Sequence, residues 1–270
     1  MRSLRNSPGF AAIAVLALAL GIGAGTAIFS VADALLLKPI NLPDTQHLVI
    51  LLEQAPGQTG IDATGVAPAN FLDWKTQSKT LDELTLWMWY SVNLTGTDRP
   101  EKVQGYAVSS NFFSIGGAQA FLGRTLLPED GQQGHGDAVV LSYGFWAQRF
   151  GANTQIVNST IHFDGKPYTI VGVMPPSFHF PIAAEVWVPL NLPDRLWTRR
   201  DWRALVAVGR LKPGINAREA FTEINGIEQR LGEAYPSNLR GWRVVVTPIR
   251  EFEVGTEAEG KIYLLLIAVG

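Results

Sequence analysis

Histidines at positions 47, 135, 162 and 179 are the chain's candidates for metal ligation. A zinc site legible in sequence shows imidazoles four residues apart on one helix face, or a cluster with carboxylates at ligand spacing. Neither spacing occurs, so no metal site is assigned. Glu129 and Asp130 are the closest approach to a general acid–base pair. They lie in a Pro- and Gly-rich loop, where a solvated turn accounts for them. Ser142-Tyr-Gly lacks the glycine two residues before the serine that a nucleophile elbow needs. There are no cysteines, which excludes disulfides, thiolate metal sites and cysteine nucleophiles. No Gly-x-x-x-x-Gly-Lys-Ser/Thr is present, so the chain carries no P-loop for ATP. Arg199, Arg200 and Arg203 cluster beside Trp197 and Trp202. A docking surface is one reading of them; a solvated loop with the tryptophans at its base is the favoured one. The eight tryptophans are dispersed and fit core packing better than ligand stacking. No catalytic or cofactor-binding residue is assigned, and the chain is not read as an enzyme.

Net charge is only −2, with 17% charged and 47% hydrophobic residues. That balance is globular and carries no electrostatic footprint for nucleic acid. Residues 10–37 read as a transmembrane helix after a cytoplasmic segment, 1–9. The run has Asp33 as its only charge, read as an interfacial group, and is long enough to cross a hydrocarbon core of about 30 Å. Arg2 and Arg5 precede it, which places the N-terminus in the cytoplasm and the main domain outside. A cleaved signal ending at Ala32-Asp33-Ala34 competes, but the apolar run is too long for one. Gly21 and Gly25 form a Gly-x-x-x-Gly pair suited to close helix packing. After Lys261, residues 262–269 are apolar and open a second membrane helix, assigned to 261–270 and cut short.

Between these segments the pattern is α+β. His47–Glu53 reads as a buried strand, and Asn70–Leu86 has helical spacing with Phe71, Trp74, Leu81 and Leu84 on one face. Trp87–Leu94 and Val103–Val108 read as paired strands. A short helix with a Ser or Asn cap follows Ser109. Ala138–Leu141 is a strand, and Ser142 caps a helix that Gly151 stops. Asp164-Gly165 between alternating runs predicts a hairpin. Another strand spans Glu185–Leu190. Leu205–Leu211, a helix over Ala217–Glu233 and Val244–Val246 make a strand–helix–strand unit. The extracytoplasmic domain, 38–260, divides on this pattern into an α/β lobe (41–106 plus 203–250) and an inserted β-rich lobe (107–200).

Six segments in order carry a family resemblance: GIGAGTAIFSVADALLLKPI, SSNFFSIGG, FLGRTL, VVLSYGFWAQRFG, FDGKPYTIVGVMPPSFHFP, and VWVPL. Over residues 2 to about 250 the chain resembles the MacB-like periplasmic core domain of bacterial ABC-type, FtsX-like permeases, most of all the stand-alone kind without a fused ATPase. The resemblance implies a permease that works by mechanotransmission, with a cytoplasmic ABC ATPase dimer binding the ATP. It also implies a second permease copy, a bacterial inner-membrane location, and export or extraction of a substrate; whether a periplasmic adaptor and outer-membrane channel take part is left open by the sequence. The alternative is a single-anchor extracytoplasmic sensor or binding module that needs no ATPase. A membrane-tethered hydrolase ranks last, because no constellation supports it.

Overall fold

Alternation along the strands decides the architecture. In β1 (Leu48–Gln54), Val49 and Leu51 enter one hydrophobic core while Leu48 and Ile50 enter another. β7 (Ala138–Leu141) divides Val139 and Leu141 from Ala138 and Val140 in the same way. In β10 (Val186–Pro189), Val186 and Val188 oppose Trp187. A sheet covered on both faces buries every position, which is why these strands read as unbroken apolar runs.

The computed structural model describes residues 42, 44–58, 63–96, 100–132 and 137–252. The expected membrane helix with Gly21, Gly25 and Asp33, the 261–270 segment and His135 lie outside them. Among the described residues, no helix is long and apolar enough to cross a membrane. One mixed sheet contains all the named strands. Besides those above they are β2 (Leu81–Trp89), β3 (Val92–Thr95), β4 (Glu101–Val103), β5 (Gly105–Val108), β6 (Leu122–Gly123) and β8 (Thr160–Phe163). The rest are β9 (Lys166–Val173), β11 (Val206–Leu211) and β12 (Arg243–Pro248). Their order is β12-β1-β11-β2-β5-β10-β7-β9-β8-β3-β4, with β6 also on β9. The sheet therefore runs unbroken across the 106/107 and 200/203 positions where the sequence pattern divides two lobes. β5 straddles the first of them, and the β3–β4 hairpin joins β8 of the 107–200 segment.

Three helices of eight residues or more cover the first face: α1 (Pro68–Gln77), α2 (Tyr143–Phe150) and α3 (Ala217–Ala234). They contribute Phe71, Trp74, Phe145, Trp146, Ala220, Ile224, Ile227 and Leu231. The second face is filled by Phe112 and Phe113 of a short helical turn and by Phe178 and Phe180, packed about Trp87 and Trp187. Burying a side chain of this size fully contributes about 1.5–3 kcal/mol.

Local signals account for several elements. The Ser142 hydroxyl accepts from the Phe145 amide at 3.2 Å, and α2 ends at Gly151 with φ 59°. Asp164 and Gly165, at φ 50° and 80°, form the primed turn between β8 and β9. Asn216 and Glu219 make a reciprocal capping box at the start of α3.

Two expectations change. The helix predicted over Asn70–Leu86 stops at Gln77, and Leu81, Leu84 and Leu86 belong to strand β2. They reach the same core as Phe71 and Trp74, so the apolar face was right and the element wrong. The break is held from a distance. The Glu223 carboxylate on α3 accepts from Ser78 Oγ (2.8 Å), Lys79 N (2.8 Å), Thr80 N (2.9 Å) and Thr80 Oγ1. Burial alone would raise the pKa of Glu223, but these donors bring it below the ordinary glutamate value. Glu223→Ala is expected to cost about 1–3 kcal/mol, read as a lower urea midpoint. The second change concerns Asn111, which precedes the 112–115 turn without capping it. Its amide donates instead to Glu83 Oε1 (2.7 Å) and Leu84 O (3.1 Å) on β2.

Candidate functional site

Two clusters of polar side chains stand at opposite ends of β1, about 17 Å apart by strand rise. At its first end the chain enters and leaves the sheet. β1 and β12 are antiparallel neighbours over six pairs, from Val49↔Pro248 to Gln54↔Arg243. Arg250, just past β12, donates to Thr45 Oγ1, just before β1, at 2.9 Å. Asp44 pairs with Arg210 at the end of β11, and Arg210 also donates to the Ile115 carbonyl. His47 Nδ1 lies 2.5 Å from Asp44 Oδ1. The entering and leaving legs are thus tied to each other and to the sheet's interior.

At the other end sits a buried charge cluster. Glu53 is 0% exposed, an acid at the end of an apolar strand. Its Oε1 accepts from Ala67 N (2.8 Å) and Asn70 Nδ2 (3.0 Å), and its Oε2 from Arg203 Nε (2.5 Å). The Arg203 guanidinium lies 3.6 Å from the centre of the Trp242 ring and donates to Asn238 O at 3.2 Å. Arg200 donates to Asn70 Oδ1 (2.6 Å) and Asp73 Oδ2 (2.7 Å), and covers the Tyr235 ring. From α3, Glu228, 1% exposed, accepts from Trp74 Nε1 at 3.1 Å through Oε2; its Oε1 has no partner among the described residues.

Burial dominates the titration here. It pushes both glutamates up, and Arg203 with the other donors only partly opposes this for Glu53. Glu228 is pushed up to about 7 by burial and by the neighbouring Glu53 charge, against Trp74 and the two arginines. Three donors favour the ionised form of Glu53, while Glu228 has one donor and one bare oxygen. Of the two, Glu228 is therefore the carboxyl whose surroundings favour the protonated form more.

These positions revise the sequence reading of the basic cluster. Only Arg199 is solvated, paired with exposed Asp201 at 2.6 Å; the side chains of Arg200 and Arg203 are 14% and 11% exposed and clamp α1 and β1. Trp197 and Trp202 do pack against the core. Asp130 is no solvated turn residue. It is 7% exposed and takes two hydrogen bonds from Arg124, at 2.6 and 3.0 Å, and one from Leu127 N, at 2.8 Å. Burial pushes its pKa up, yet these bonds hold the carboxyl below its ordinary value. His162 lies on β8, far in the sheet order from β1. Among the described residues no group of three or more metal-ligating side chains forms. Glu53, Asn70, Asp73 and Glu228 were missed. The available signal was a carboxylate on an apolar stripe, since Glu228 follows Ile224 by four residues and precedes Leu231 by three.

The described residues thus form a mixed α/β domain whose entering and leaving segments lie side by side and whose buried charged residues clamp its elements together. The MacB-like periplasmic core domain model matches residues 11–227, and the chain belongs to that family. No curated protein matches it. Several solved structures share the fold, the following three among them. A domain assigned to a permease protein of Porphyromonas gingivalis has a TM-score of 0.60 at 14% identity, covering 77% of this chain and 92% of its own. The periplasmic region of MacB from Actinobacillus actinomycetemcomitans has 0.52 at 14%, covering 77% and 90%. The extracellular domain of the noncanonic ABC-type transporter YknZ from Gram-positive bacteria has 0.52 at 12%, covering 73% and 99%.

Proposed function

We propose that this chain is a permease subunit of an ABC-type transporter working by mechanotransmission in a bacterial inner membrane. ATP would be bound and hydrolysed by a cytoplasmic ATPase, and the domain would act on a partner or substrate outside the membrane. A second permease copy, and an adaptor with an outer-membrane channel, complete the expected assembly. Family membership supports the class. The observation that best supports the mechanism is the pairing of β1 with β12, closed by Arg250 on Thr45 and by Asp44 on Arg210. A ladder of paired strands resists shear between the legs, so displacing one leg displaces the sheet. The energy must come from ATP binding differently to two states of the ATPase.

A flexible insertion tests this. Four Gly/Ser residues placed just before Asp44 should leave basal ATP hydrolysis unchanged and reduce transport by about tenfold or more, because such a linker transmits little force. The same insertion at the exposed Pro213–Gly214 turn serves as the control, since that glycine meets no neighbouring side chain. Equal transport by the two insertion variants in proteoliposomes would overturn the mechanism and favour the binding-module alternative.

A further inference from the structure

The charge cluster at the far end of β1 is composed so that one proton decides its balance. Glu53 of β1 and Asp73 of α1 face Arg200 and Arg203 of the 199–203 strap, two carboxylates against two guanidiniums. Glu228 of α3 is a third carboxyl in the same cluster, with Trp74 of α1 donating to one oxygen and, among the described residues, nothing donating to the other. Tyr235, Asn238 and Trp242 close the cluster from the segment after α3 and hold the two arginines. Beside Glu228 runs an open cleft of about 630 Å³, walled by α3 and residues 236–243, with Glu233, Arg240 and Arg243 among its lining.

A neutral Glu228 leaves the cluster charge-balanced. An ionised one adds an uncompensated anionic oxygen, shielded from water, which is costly unless water reaches it. The cleft, which Glu228 itself helps to line, offers a route for that water. We propose that Glu228 is a proton-operated latch: protonated, it keeps α3, the 199–203 strap and the 236–242 segment closed over Glu53, and ionised, it opens that seam to water through the cleft. Burial and the Glu53 charge put the change close to neutral pH. The latch would make the firmness of the far end of the sheet depend on the pH outside the membrane. It is independent of the transport proposal, since it concerns only the domain's own seam.

The test is amide hydrogen exchange on the full chain in nanodiscs, followed in peptides covering 64–74 and 236–243. Rates are corrected for the intrinsic pH dependence of exchange. Opening coupled to one such carboxyl should rise roughly tenfold or more between pH 5 and 8, and Glu228→Gln should abolish the rise. A flat profile in the wild-type chain overturns the proposal, as does an unchanged rise in Glu228→Gln. Should that variant fold poorly, the wild-type Trp74 indole N–H resonance decides. A titration of its shift near neutral pH is expected, and its absence from pH 5 to 9 overturns the latch.

Discussion

Arg203→Ala should lower the unfolding free energy by about 3–5 kcal/mol, the usual cost of removing one partner from a buried ion pair. Glu53 has no exposed surface, and Arg203 is the charged partner bonded to it. Without the guanidinium, the carboxylate keeps the Ala67 and Asn70 donors but faces no cation in direct contact. The Trp242 face and the Asn238 carbonyl lose their partner in the same substitution. Urea unfolding at pH 7 measures the effect. The double variant Glu53→Met with Arg203→Met is the informative companion, because it removes both charges and fills the space. It should recover most of the loss, since the penalty comes chiefly from the stranded charge. A single Arg203→Ala variant within about 1 kcal/mol of the parent would mean that Glu53 is hydrated instead of clamped.

Glu228→Gln should stabilise the domain at pH 8 by up to about 3 kcal/mol and flatten its pH dependence. The folded-state carboxyl titrates at about 7 against an ordinary 4.5. Between those values the folded chain keeps a proton that the unfolded chain has released. This contribution is complete below pH 4.5, shrinks as pH rises through the interval, and is gone above about 7. Glutamine is neutral, as the protonated acid is, and never ionises. The variant should therefore match its parent at pH 4 and exceed it increasingly up to pH 8. Asp130 and Glu223 work in the opposite sense, their folded-state values being lowered, so their contribution is lost only on acidification. They leave the interval from pH 5 to 8 to the buried pair. Urea midpoints at four pH values across that interval would settle the matter, and parallel curves for parent and variant would refute it.

Short-range physics controls the features that could be read from the chain alone. Asp164-Gly165 turns because both residues tolerate positive φ. Ser142 and Gly151 bound α2 because a hydroxyl satisfies an orphan amide and a glycine accepts the left-handed exit. The strand–helix–strand order of β11, α3 and β12 comes from period alone, but β1 lies between the two strands, which no local pattern records. The string of motifs also carried the family. The tertiary structure decided the rest. Helical spacing after Asn70 continues to Leu86, yet Glu223, from well over a hundred residues later, captures the turn at 78–80, and residues 81–89 become strand β2. Asp130 reads as a solvated turn residue until Arg124 folds back over it. Arg200 and Arg203 read as a solvated loop, because Asn70, Asp73 and Glu53 come to them from the other side of the fold. For Asp130 and the two arginines the deciding term is the cost of burying a charge, and for the 78–80 turn it is the set of donors Glu223 satisfies; both depend on partners brought together by the fold, not by the spacing of residues along the chain.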